Sequence, residues 1–179
     1  MEFCIINELG NEPYQIDDSI QLVAYTDSLW KSEDKLIIAF VNGTNFEKEY
    51  FKSLTSEWLS LINLNVVFQD SLKNSVVRIK FNNSGIARSF LGRQAVLAPL
   101  NEPTLSLPRY VDSSKFRRNV LHEFGHVLGL VHEHQSPLNE IPWKKNFLYA
   151  KLILNGLSKR TIDKNFFSKY SHKKTQYSQ

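Results

Sequence analysis

From Trp30 onward the chain alternates short apolar runs with polar breaks. "KLIIAFV" (residues 35–41) has the length and β-branched content of a buried strand. "NGT" ends it. Thr44 then suits a helix N-cap, with Glu47 three residues on as its capping-box partner. Phe46, Tyr50, Leu54, Trp58, Leu61 and Ile62 recur mostly three or four apart, which predicts a helix with that face inward. "NVVFQD" (65–70) and "SVVRIKF" (75–81) predict two strands, and residues 82–85 a turn. "AVLAP" (95–99) and "TLSLP" (104–108) read as two more short strands, whose prolines suit edge or end positions. A second helix is expected to start near Ser113 or Ser114, with Asp112 adding negative charge at its head. Phe116, Val120, Phe124, Val127 and Leu128 form its buried stripe, and Gly129 stops it. Pro142 can open a third helix carrying Trp143, Phe147, Leu148 and Leu152. Residues 19–25 read as a short strand, and residues 155–179 as polar and weakly patterned. This order predicts an α+β fold, a mixed sheet with helices packed on it.

The length, 179 residues, suits a single domain (1–179), with residues 1–28 as an N-terminal extension. Apolar content of 42% against 22% charged points to a globular chain rather than a disordered one. The net charge of +4 comes without a nucleic-acid-binding motif, so no nucleic-acid partner is expected. A lone cysteine, Cys4, excludes a disulfide framework and a zinc site built from several cysteines; it reads as an apolar residue in "FCII". No signal peptide and no apolar stretch of membrane-spanning length is visible. A soluble protein with no membrane partner is expected. Secreted and cytoplasmic placement both stay open, as does the oligomeric state.

Chemistry concentrates in "NVLHEFGHVLGLVHEHQSP" (119–137), which holds four of the five histidines. His122 and His126, four apart on the second helix, place both imidazoles on one face about a turn apart. Two imidazoles so held can share a tetrahedral cation such as Zn²⁺. Histidines at that spacing also occur solvated or satisfied within a core. Glu123 is too close in sequence to join them as a ligand, yet near enough to reach a water on the metal. Gly129 can take positive φ and turn the chain, so His132 can return as a third ligand. One coordination position then stays open, as at catalytic zinc sites.

"HEFGHVLGLVH" matches the metzincin zinc-peptidase signature H-E-x-x-H-x-x-G-x-x-H at every fixed position, and "EHQSP" resembles the astacin-like branch. "LWKSEDKLIIAFVNGT", the helix with Trp58, "VVRIKF", "GIARSFLGRQA" and "TLSL" follow a similar order, so the resemblance spans roughly residues 29–179. It implies a zincin-like catalytic domain: a mixed twisted sheet of about five strands, an active-site helix and two further helices. It also implies a cleft along an edge strand near residues 95–100, where an extended peptide adds to the sheet. His122, His126 and His132 would hold Zn²⁺, Glu123 would act as general base, and the substrate would be a peptide or protein. By the same resemblance Glu133 could meet a processed N-terminus; taken alone it reads as solvated. His134 and His172 read as surface residues, and Arg117 and Arg118 as lying on the exposed face of the helix. The chain departs from the family in lacking a methionine turn: its one methionine is Met1, and Tyr170 and Tyr177 have no context to replace the tyrosine that follows that turn. A shortened chain is the expectation, either a truncated reading frame or a diverged member, and a longer frame continuing into Ser-x-Met-x-Tyr would decide which. The function implied is zinc-dependent endopeptidase, working through a metal-activated water. The alternatives are an impaired relic that binds zinc or a peptide without turnover, and a zinc hydrolase of a non-peptide amide.

Overall fold

The computed structural model describes residues 23–154 and 156–177; Cys4 and the start of the strand expected over residues 19–25 lie outside them. In chain order the elements are β1 (Val23–Tyr25), β2 (Lys35–Phe40), α1 (Asn45–Leu59), β3 (Asn65–Gln69), β4 (Val77–Asn82), β5 (Arg88–Ser89) and β6 (Leu105–Pro108). They continue with α2 (Ser113–Val127), β7 (Leu130–Val131), α3 (Lys145–Leu154), α4 (Lys159–Ile162) and β8 (Thr175–Tyr177). The fold is α+β. Two compact units are present, one over Asp27–Leu130 and one combining described residues 23–26 with 131–177. No helix among the described residues is long and apolar enough to cross a membrane.

The first unit is a five-stranded sheet in the order β3-β2-β4-β6-β5, carrying α1 and α2. The first four strands in that order pair in parallel, and β5 pairs antiparallel with β6. Leu36 and Ile38 of β2, Val77, Ile79 and Phe81 of β4, and Leu105 and Leu107 of β6 are fully buried. They meet the whole expected stripe of α2, from Phe116 to Leu128. Burying such side chains contributes about 1.5–3 kcal/mol each, which holds α2 against the sheet.

Thr44 caps α1 through a capping box with Glu47, as its sequence predicts. The expected face of α1 is buried at Leu54, and Tyr50, Trp58 and Ile62 pack against the core. It departs from expectation at its ends: Phe46 is 57% and Leu61 77% exposed, while Phe51, Thr55 and Glu47 are also buried. Glu47 accounts for the first end. Its carboxylate accepts from the Thr44 and Tyr110 amides and pairs with Arg109 at 2.9 Å, so the polar contacts sit inside and Phe46 is displaced.

Residues 95–99 are not a strand. Residues Gly92–Leu97 form a 3-10 turn, and the edge strand is β5 instead. The cause is a long-range partner. Arg78, buried in β4, donates to the carbonyls of Ser75 (2.8 Å), Pro99 (3.0 Å) and Glu102 (2.7 Å), which holds those groups away from any ladder. β6 lies between β4 and β5 rather than at the edge. Its proline, Pro108, stands at its last position, facing Asn82 on β4.

In the second unit β1 pairs antiparallel with β8, Val23 opposite Tyr177. Helix α3 begins at Lys145, not Pro142, and of its expected apolar face Leu152 is buried while Phe147 is 64% exposed. The polar stretch after residue 155 contains α4, a wide turn at Asp163–Phe167 and β8.

Candidate metal centre

Helix α2 starts with Asp112 accepting from the Lys115 amide and ends as its carbonyls find new partners. Trp30 Nε1 donates to the Val127 carbonyl at 2.7 Å, and Trp58 Nε1 of α1 donates to the Leu121 carbonyl at 3.0 Å. Two indoles thus grip the helix on either side of the histidine pair. Gly129, at φ +100°, follows. A Cβ there would stand 3.0 Å from Leu29 and 3.2 Å from the Ser28 carbonyl oxygen, so glycine is required by space as well as by backbone angle.

On α2 the His122 and His126 rings lie 4.7 Å apart at 89°, with their Nε2 atoms separated by 3.1 Å. His126 Nδ1 sits 2.7 Å from the Leu130 carbonyl oxygen. A carbonyl only accepts, so Nδ1 carries the proton and Nε2 keeps its lone pair for the cluster. Burial, with the charges of His126 and Arg118, pushes His122 down to about 4. His122 is therefore neutral at pH 7, the form that ligates metals. One ring nitrogen each from His122, His126 and His132 lies within 4.8 Å of the others. Two nitrogens on one tetrahedral zinc stand about 3.3 Å apart. The 3.1 Å pair fits that spacing, and an all-imidazole donor set suits a transition-metal dication. These three histidines can hold a metal ion.

Glu123 is fully buried, and neither carboxylate oxygen has a hydrogen-bond partner. Burial alone raises its carboxyl to about 8. Buried polar groups are normally satisfied, so an unpaired buried carboxylate one residue after His122 on the same helix marks a candidate functional group.

The remaining polar residues divide. Arg117 and Arg118 lie exposed on α2 as expected, Arg117 paired with Glu57, and His172 is exposed. Glu133 is half-buried and its carboxyl is raised by that burial. His134, expected at the surface, is half-buried: its Nε2 lies 2.7 Å from the Asn165 carbonyl oxygen and its ring stacks on His132. Burial lowers its pKa. Sequence reasoning also missed the Leu130 carbonyl that orients His126, because a main-chain acceptor leaves no mark in residue type.

Solved structures of myroilysin, a metallopeptidase, share this fold. One is 35% identical, covers 87% of this chain and 78% of its own, and gives a TM-score of 0.80. The chain belongs to the myroilysin family. A second myroilysin structure is 33% identical over 81% of this chain and 67% of its own, with a TM-score of 0.62. No protein-family model and no curated protein sequence matches the chain. Membership of the myroilysin family rests on the shared chain path as well as on identity, and it brings the histidine cluster into a peptidase-like setting.

Proposed function

We propose that this chain is a single zinc endopeptidase domain of the metzincin class, astacin-like, acting on peptide or protein substrates. The observation that carries the reading is the three-histidine cluster, with a buried carboxylate that has no hydrogen-bond partner one residue after His122 on α2. The likeness to myroilysin, a peptidase, supports it. His122, His126 and His132 are the ligands, each as a neutral imidazole. Zinc held there would supply Lewis acidity, acidifying a water and polarising the scissile carbonyl. Glu123 is the proton carrier. A dication bound near it would favour its ionised form against the effect of burial. Its oxygens, uncommitted to any other donor, take the proton of the attacking water and return it to the departing amine nitrogen.

Elemental analysis should find about one zinc per chain, and cleavage of a casein-like substrate should stop on chelation. Glu123→Gln should keep its zinc and lose on the order of 10²–10⁴ in turnover, the usual worth of a positioned acid–base group. Cleavage by that variant at the parental rate would sink the assignment. Zinc binding without any cleavage by the parent would leave a binding domain instead.

A further inference from the structure

We propose that His134 is a positioning residue for the ligand His132, holding its imidazole plane by ring stacking. The inference rests on the metal-centre reading above but concerns a residue that reading does not use. The His132 and His134 rings are near parallel, 16° apart, with centroids 5.1 Å from one another. His134 is itself fixed. Its Nε2 donates to the Asn165 carbonyl at 2.7 Å, Phe166 lies near parallel to it at 6.0 Å and 21°, and Trp143 meets it edge-on at 5.8 Å. The backbone of the same turn is tied down independently. Gln135, buried, donates to the Lys164 carbonyl at 2.9 Å, and its own carbonyl accepts from the Tyr170 amide. Lys169 Nζ donates to the His134 carbonyl at 2.8 Å.

The backbone setting of His132 differs from that of the other two histidines. His122 and His126 are held by a helix, and His126 has the Leu130 carbonyl behind it. His132 stands past the glycine stop, at extended dihedrals before a single 3-10 turn, so no helix restrains its ring. An imidazole free to rotate loses entropy on ligation, whereas one already held in plane does not. A stacked aromatic ring restrains the plane without competing for the ring nitrogens. His134 is two residues on, where alternation cannot be read as helix or strand, and only the tertiary contact to Phe166 reveals its part.

The test uses the whole chain, with Zn²⁺ affinity read by competition with a chromophoric chelator and Co²⁺ absorption as a second signal. His134→Leu, similar in bulk but unable to stack, should weaken zinc binding on the order of tenfold, the low end for groups that orient a ligand. It should also broaden the Co²⁺ bands. His134→Phe restores a ring without the Asn165 hydrogen bond and should return both signals to near-parental values. A merely structural role would lower the unfolding midpoint of the metal-free protein in both variants and would not separate leucine from phenylalanine. Parental affinity and an unchanged cobalt spectrum in His134→Leu, alongside weakened binding in His132→Ala, would overturn the proposal and leave the metal centre standing. Parental affinity in His132→Ala would remove both.

Discussion

Glu123 shows how one residue can cost stability for the sake of chemistry. Its carboxyl is pushed by burial from 4.5 to about 8. Below pH 4.5 it is neutral whether the chain is folded or not, and carries no penalty. Between pH 4.5 and 8 the unfolded chain ionises it while the folded chain keeps it protonated, so stability falls as pH rises through that window. Glutamine cannot ionise. Metal-free Glu123→Gln should therefore exceed the parent in denaturant-measured stability at pH 8, by a few kcal/mol at roughly 1.4 per pKa unit, and match it near pH 4.5. Equal stability at both pH values would mean that the carboxylate is solvated after all. His122 works in the opposite direction. Its depressed pKa removes stability as pH falls from 6.5 to about 4, so the comparison with glutamine is needed to isolate the carboxylate. That Glu123 is polar and adjacent to a ligand is written in the motif. That it is fully buried and unpaired is not, because burial depends on how the rest of the chain packs around α2.

At the scale of elements, α2 is the part most legible from the chain alone. Its cap, the spacing of its apolar stripe and its glycine stop are all written in neighbours within four residues. Gly129 adds a tertiary constraint: φ is +100°, and a Cβ there would stand 3.0 Å from the Leu29 side chain and 3.2 Å from the Ser28 carbonyl oxygen. Gly129→Ala should lose about 1–3 kcal/mol in denaturant unfolding, the usual penalty for a side chain in that backbone region. A loss below about 0.5 kcal/mol would show that the turn relaxes freely. The start of α1 is less legible than its middle, because Glu47 has long-range partners, Arg109 and Tyr110, that draw it inward and leave Phe46 exposed. In the same way α3 begins three residues later than Pro142 proposes, after a Trp143 whose ring packs on Phe166 and Phe167.

Across the molecule the two compact units are organised by buried polar side chains that collect main-chain carbonyls. In the first unit Arg78 gathers those of Ser75, Pro99 and Glu102. Arg78→Leu should cost about 1–3 kcal/mol, the desolvation of the buried Ser75 carbonyl it leaves without its guanidinium donor. Faster amide hydrogen exchange over residues 98–104 would locate the loss, and parental protection there would show that the loop holds itself. In the second unit Gln135 plays the corresponding part, tying the turn after His132 to the carbonyls of Lys164 and Ser168. The sequence alone determined the α+β order of elements, the Thr44 cap, the stripe of α2 and the pairing of His122 with His126. Each of these follows from spacings of a few residues along a regular backbone. Tertiary structure alone decided that residues 95–99 would be turn and residues 88–89 the sheet edge. It also decided that Glu123 would be buried and that His134 would lie against His132. Those outcomes depend on partners tens of residues away, and no local period in the chain encodes which distant carbonyl or ring a side chain will meet.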